Sequence, residues 1–202
     1  MTKRASCPHC ERPLRTCLCD VMVMRDIDYR LIILQDPKEA KHALSSAPLL
    51  AKSVSGAQLI VGEVFDPELI LGDNWQSNSL VIFPGENPIT RETVAKTDIK
   101  TLILLDGTWR KVARLIHLNP WLNTLPCYAI NANDSSQYRI RRSPRADGLS
   151  TIEAGVCALN ELHAEADFTN ILFAFHKMID YQIDAMGAET FNKNHINTKK
   201  AP

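Results

Sequence analysis

Short apolar runs alternate with polar and helical segments along most of the chain. Runs rich in Leu and β-branched residues predict buried strands over residues 29–35, 58–64, 79–84 and 101–106, with weaker candidates at 127–131 and 137–142. Apolar residues at helical spacing predict helices over 109–118, from Ser150 onward and over 169–186, and a proline-initiated helix over 37–44. This alternation predicts an α/β domain with a largely parallel sheet flanked by helices.

The same pattern suggests how the chain is organised. Residues 1–28 are rich in Cys, Arg and Pro without clear periodicity and are interpreted as a small separate module. Residues 29–186 form the α/β domain, and residues 187–202 a polar tail. No apolar run approaches the roughly 18 residues that a membrane span needs, and no secretory signal precedes the domain, so a cytoplasmic, membrane-free protein is expected.

Four of the six cysteines fall in the first 19 residues, at Cys7, Cys10, Cys17 and Cys19. Their spacing, C-x2-C-x6-C-x-C, suits two thiolate pairs on tight turns around one tetrahedral Zn²⁺. Two disulfides are the alternative, which an intracellular chain disfavours. His9, between the first pair, is a substitute ligand. With four thiolates the zinc would be structural, because no coordination position stays open for catalysis.

Asp106 ends the most hydrophobic predicted strand, and Gly107 and Trp109 follow it at the start of a helix. Ligands of open α/β sheets bind outside the carboxyl ends of the strands, so this acid is a candidate site residue. The alternative is that Asp106 only caps the following helix and that Trp109 belongs to the core.

Charge is distributed unevenly. The chain has 23 basic and 23 acidic residues, a formal net charge of zero, which by itself argues against a nucleic-acid partner. Residues 106–145, however, carry seven basic and two acidic residues, net +5, and residues 1–30 carry six and four, net +2. Because screening acts over about 8–10 Å, an RNA would respond to this local basic face rather than to the total.

Six short motifs occur in order along residues 7–180. They are the four-cysteine spacing, Phe83-Pro84, Asp106-Gly107-Thr108-Trp109, Asn119-Pro120-Trp121-Leu122 through Leu125-Pro126, Tyr138-Arg139-Ile140-Arg141, and Leu149-Ser150-Thr151-Ile152-Glu153-Ala154. Together they resemble the DTW-domain family, and within it the bacterial tRNA-uridine aminocarboxypropyltransferases.

The resemblance implies transfer of the 3-amino-3-carboxypropyl group of S-adenosylmethionine to N3 of a tRNA variable-loop uridine (position 47). The products would be acp3U and methylthioadenosine. It also implies a SPOUT-like α/β fold, in which a backbone knot can occur. A SPOUT-type methyltransferase using the same cofactor and a non-enzymatic zinc-ribbon RNA-binding protein are the alternative functions.

Candidate roles follow for individual residues. Asp106 is expected either to accept or orient the N3 proton, or to bind the amino group of S-adenosylmethionine. The helix beginning at Ser150 offers N–H groups for the carboxylate of S-adenosylmethionine, in addition to its own capping box. The expected cofactor-binding residues are Phe83, Pro84, Gly85, Leu104, Leu105, Gly107, Thr108, Trp109, Leu149, Ser150 and Thr151.

Binding of tRNA is expected to use arginines, which suit phosphate, and aromatic rings, on which bases stack. The candidates are Arg110, Lys111, Arg114, Tyr138, Arg139, Arg141, Arg142 and Arg145. The alternative is a solvated charged face. No obligate protein partner is evident from the sequence.

Overall fold

The computed structural model describes residues 5–131, 149–163 and 165–187. Within these residues, five strands form one sheet: β1 (Arg30–Gln35), β2 (Gln58–Val61), β3 (Ser79–Ile82), β4 (Thr101–Asp106) and β5 (Cys127–Tyr128). The helices are α1 (Ala47–Ser53), α2 (Pro67–Leu71), α3 (Trp75–Asn78), α4 (Arg91–Val94), α5 (Trp109–Leu118), α6 (Thr151–Leu162) and α7 (Leu172–Met186). Short 3-10 helices cover Leu14–Thr16, Pro120–Thr124 and Thr169–Ile171.

All strand pairs are parallel, in the order β2-β1-β4-β3-β5. The central strands β1 and β4 pair along six positions, so the last residue of β1, Gln35, lies beside the last residue of β4, Asp106. Parallel strands buried on both faces read as continuous apolar runs, which is why these segments could be recognised as strands. The predicted α/β architecture with a parallel sheet and flanking helices is confirmed.

Alternate residues of each strand feed separate cores on the two faces of the sheet. Leu31 and Ile33 of β1 pack with α1, α6 and α7 in the larger core. Ile32 and Leu34 face the other way, into a smaller core with Trp75 and with Leu115 of α5. Helices therefore cover both sides of the sheet and leave its carboxyl edge for the loops that follow the strands.

The cysteine-rich segment is continuous with the larger core. Leu18, between two of the cysteines, has no exposed surface and packs in that core. The N–H group of Arg25 donates to the carbonyl of Ser53 at 2.9 Å, and the N–H group of Ser55 donates back to the carbonyl of Arg25 at 2.9 Å. The boundary placed at residue 28 remains a prediction, and these contacts seat the segment on α1.

The predicted helix over 37–44 is wrong. Turns occupy that stretch, and the helix begins at Ala47 with Pro48 in its first turn. Residues 38–42, KEAKH, offer no apolar face to bury, whereas α1 buries Leu49 and Leu50. The turns instead carry Ser45 and Ser46 to the sheet edge. The strand candidate at 137–142 lies outside the described residues, as do residues 188–202 of the predicted tail.

Candidate functional site

Asp106 lies at the carboxyl edge of the sheet, in the middle of the strand order. It is 6% exposed, and both of its carboxylate oxygens accept hydrogen bonds from other elements. Gln35 Nε2 donates to Oδ2 at 2.6 Å, and the hydroxyl of Thr151, the first residue of α6, donates to Oδ1. Three segments distant in sequence thus meet at one carboxylate.

Asp106 does not cap α5. The N-cap position is Thr108, which makes no side-chain cap hydrogen bond, and the Asp106 carboxylate bonds instead to Gln35 and Thr151. Gly107 leaves the space that the first turn of α5 needs, because a Cβ there would lie 3.1 Å from Lys111 Cβ. The interpretation of Asp106 as a site residue stays a prediction, and its carboxylate is held by distant segments rather than by the following helix.

Trp109 and Phe83 form an aromatic wall near the end of β4, where Asp106 lies. Their ring centroids are 6.1 Å apart, and Trp109 is 37% exposed, so it is not a core residue. Phe83 directly follows β3, and its N–H group donates to the carbonyl of Tyr128 at 3.0 Å. Gly85 packs so closely that a Cβ would lie 2.5 Å from Cys127 Sγ. The expected cofactor walls after β3 and β4 thus lie at the same sheet edge.

The start of α6 is held by a complete capping box, as predicted. Ser150 accepts from the N–H group of Glu153, and Glu153 Oε2 accepts from the Ser150 N–H group at 2.8 Å. The N–H group of Ile152 donates to Ser46 Oγ at 3.3 Å. The N–H groups of Ile152 and Glu153 therefore donate within the protein, and the expectation that this helix start binds a ligand carboxylate stays a prediction.

Two of the three basic residues near the start of α5 are paired with acids. Lys111 Nζ lies 2.7 Å from Glu39 Oε1, and Arg114 makes two hydrogen bonds to Glu63 at 2.7 and 3.0 Å. Arg110, in the first turn of the helix, is exposed. The other expected RNA contacts, Tyr138, Arg139, Arg141, Arg142 and Arg145, lie outside the described residues.

Sequence reasoning missed the polar residues contributed by β1 and the turns after it. Gln35 is 1% exposed, and its amide also donates to Ser45 Oγ at 3.0 Å. Ser46, 5% exposed, joins the same edge through α6. The sequence signal that could have identified Gln35 is its place directly after the apolar run Leu31–Leu34. Asp106 was identified from the same kind of position, at the end of a strand.

The four N-terminal cysteines converge on one point. Their Sγ atoms all lie within 4.8 Å of one another, with Cys7 to Cys19 at 3.5 Å and Cys10 to Cys17 at 3.7 Å. Thiolates about 2.3 Å from a tetrahedral Zn²⁺ would be about 3.8 Å apart, so the cluster could bind such an ion. All four are free thiols in the structure, which does not support the disulfide alternative.

Local geometry explains how the cluster forms. The N–H group of Glu11 donates to the carbonyl of Cys7 at 2.8 Å, and Glu11 adopts a left-handed φ of 61°, which closes a tight turn around the first pair. Backbone hydrogen bonds from Cys10 and His9 lower the pKa of the Cys7 thiol to about 6, whereas burial raises the pKa of Cys19 to about 12. A bound dication would favour the thiolate form of every ligand.

These features define a parallel α/β protein with a buried acid at its sheet edge and a four-cysteine cluster packed beside the core. The DTW domain family model matches residues 4–183, and the chain belongs to that family. No helix of the described residues has the length and apolarity needed to span a bilayer.

The chain is similar to curated proteins named "tRNA-uridine aminocarboxypropyltransferase 2". It is 28% identical to the one from Macaca fascicularis over 99% of this chain and 72% of that protein. It is 30% identical to the one from Mus musculus over 79% of this chain and 57% of that protein. For the Drosophila melanogaster protein the identity is 27%, over 96% of this chain and 81% of that protein. No solved structure matches significantly.

Proposed function

We propose that this protein is a tRNA-uridine aminocarboxypropyltransferase that uses S-adenosylmethionine as the donor and forms acp3U in the variable loop of tRNA. The observation that carries the proposal is the DTW domain match over residues 4–183, with Asp106 of its signature buried at the sheet edge. The names of the three similar proteins support the same reaction. A cytoplasmic location, where tRNA is modified, accompanies this proposal.

The reaction forms a bond between uridine N3 and a carbon of the donor, and breaks the bond from that carbon to sulfur. S-adenosylmethionine supplies the electrophilic carbon and leaves as methylthioadenosine, while N3 gives up its proton. Asp106 serves this reaction in one of two ways: it accepts or orients the N3 proton, or it binds the donor's amino group. General base catalysis is typically worth about 10²–10⁴-fold.

The residues at the sheet edge fit the donor. Phe83 and Trp109 offer an aromatic surface for an adenine ring, and Pro84 and Gly85 continue this wall. The turn Leu104–Thr108 carries Asp106, and the start of α6 lies against the Asp106 carboxylate through Thr151. Leu149 and Ser150 complete the proposed donor site beside Thr151.

For tRNA we propose contacts through Arg110 and through Tyr138, Arg139, Arg141, Arg142 and Arg145. Lys111 and Arg114 join them with part of their charge balanced by Glu39 and Glu63. Counter-charges within the protein weaken attraction to phosphate, so Arg110 is the strongest candidate among the described residues of this set.

Two structural assignments accompany the function. Residues 1–28 are proposed to be a structural zinc module, because the four Sγ atoms have the separations that one Zn²⁺ requires. A SPOUT-like fold, in which a backbone knot can occur, is proposed for residues 29–186, and the five parallel strands with helices on both faces are compatible with it. An experimental structure that traces the whole chain tests the knot.

The decisive experiment incubates the purified protein with tRNA and S-adenosylmethionine, and follows nucleosides and small products by mass spectrometry. We expect acp3U and methylthioadenosine from the wild type, and Asp106→Asn should lower turnover at least about a hundredfold. Asp98→Asn, which changes an exposed acid before β4, is the matched control. S-adenosylhomocysteine as the product would indicate a methyltransferase instead, and absence of S-adenosylmethionine binding by calorimetry would indicate a non-enzymatic RNA-binding protein.

A further inference from the structure

Gln35 is a buried amide to which the proposed reaction assigns no role. It closes β1, and the parallel register places it directly beside Asp106 at the end of β4. Its exposed fraction is 1%, and burying a polar side chain is costly unless its hydrogen bonds are made. A leucine or valine at this position would be buried without the free-energy cost of desolvating a polar group. The presence of a buried amide therefore needs an explanation.

The hydrogen bonds of Gln35 supply that reason. Its Nε2 atom donates to Asp106 Oδ2 at 2.6 Å and to Ser45 Oγ at 3.0 Å. Both acceptors therefore engage the nitrogen of the amide, and its oxygen is kept away from the carboxylate. Ser45 belongs to the turns that replace the predicted helix after β1, so these turns fix the amide that contacts Asp106.

The opposite oxygen of Asp106 is held from the other side of the site by the Thr151 hydroxyl. Donors on both oxygens favour the ionised carboxylate and fix the orientation of its plane. A misplacement of about 1 Å in a reacting or binding group costs on the order of 10²-fold in rate. The position of this carboxylate thus depends on a residue 71 positions away in sequence.

We infer that Gln35 is a positioning residue, which holds Asp106 as an oriented anion for the transferase reaction. The inference rests on the proposed function for its catalytic consequence. The contact itself between Gln35 and Asp106 is independent of which reaction the site performs. The two statements can therefore be tested separately.

The test replaces Gln35 by residues of similar size. Gln35→Glu puts a carboxyl group beside Asp106 that can donate a hydrogen bond only when protonated. Two adjacent carboxyl groups share one proton at low pH, because like charges disfavour double ionisation. Near pH 8, the kcat of Gln35→Glu should therefore be at least about tenfold lower than that of the wild type. The ratio of the variant's kcat to the wild-type kcat should rise as the pH falls towards about 5.5, because the introduced carboxyl group becomes protonated.

Gln58→Glu makes the same chemical change at the beginning of the neighbouring strand β2. Gln58 pairs in register with Ile32, away from Asp106. This control should show a pH-independent ratio close to one. Gln35→Leu, which removes the donor without adding charge, should lower kcat by about ten- to a hundredfold at every pH. It also serves as the second variant if the glutamate variant does not fold.

Thermal melts provide a readout that does not depend on activity. The like charge raises the pKa of the introduced carboxyl above its unfolded value, so the loss in Tm of Gln35→Glu should grow as the pH rises above about 4.3. If both Gln35 variants have the kcat and the pH profile of the wild type, the positioning role of Gln35 is overturned. A pH-independent Tm difference for Gln35→Glu would overturn the contact. A wild-type protein that forms no methylthioadenosine would instead overturn the proposed function.

Discussion

Leu18→Ala tests how firmly the cysteine-rich segment is joined to the α/β core. Leu18 lies between Cys17 and Cys19, two of the four thiols of the cluster, yet its own side chain has no exposed surface and packs in the larger core. Truncating it removes apolar atoms from the only fully buried position among the hydrophobic residues of the described segment 5–28. The segment should lose its most buried side-chain contact with the core, while the four cysteines themselves are unchanged.

The magnitude follows from the burial of the side chain. Replacing a fully buried Leu by Ala costs about 2–5 kcal/mol, the upper end applying where the cavity does not collapse. A chain of this length loses about 2–4 °C in Tm for each kcal/mol. We therefore expect Leu18→Ala to lower Tm by roughly 4–20 °C, in one cooperative transition.

The assay is thermal unfolding of the purified protein with Zn²⁺ supplied in the buffer, followed by circular dichroism and calorimetry. Leu14→Ala is the matched control, since Leu14 lies in the same segment and is 57% exposed. It should change Tm by no more than about 2 °C, because surface substitutions usually stay within about 0.5 kcal/mol. A loss below about 2 °C for Leu18→Ala, or two separate transitions in the wild type, would refute the view that segment and core unfold together.

Two further predictions concern the metal cluster and the start of α6. The purified protein should contain about one equivalent of zinc, and less than half an equivalent by metal analysis would contradict the zinc site. Removing the zinc with a chelator should lower the Tm of the single unfolding transition, because the ligands flank Leu18. Ser150→Ala removes the cap of α6 and the hydroxyl partner of the buried Glu153, so unfolding free energy should fall by about 1–2 kcal/mol in urea titrations, and Ser150→Thr should restore most of it. An unchanged midpoint for Ser150→Ala would show that the capping box does not stabilise the helix.

Several elements could be predicted from local sequence because their signals are local. Strand β4 and helix α5 have the predicted bounds, 101–106 and 109–118, and α6 begins with the predicted capping box. Continuous apolar runs mark strands buried on both faces, and Ser150 and Glu153 are three residues apart, so neither signal needs tertiary information. The four-cysteine cluster was also predictable, since its ligands span only 13 residues.

The site could be predicted only in part. Asp106 was found from its place at a strand end, but its partners were not, because Gln35 and Thr151 reach it from 71 and 45 residues away. The ionic partners of Lys111 and Arg114 are equally remote, and they change a basic stretch into one that is partly neutralised. The segment 37–44 was misjudged because Pro37 favours a helix locally, whereas residues 38–42 in its centre are largely polar and offer little apolar surface whose burial could stabilise one.

The sequence by itself determined the class of fold, the strand that ends at Asp106, the cysteine cluster and the family. Only the tertiary structure decided what surrounds the carboxylate: the pairing of β1 with β4 brings Gln35 to it, and the packing of α6 brings Thr151. The physical reason is that strand and helix signals depend on neighbouring residues, whereas a buried carboxylate takes its hydrogen bonds from whichever distant segments the sheet order places beside it.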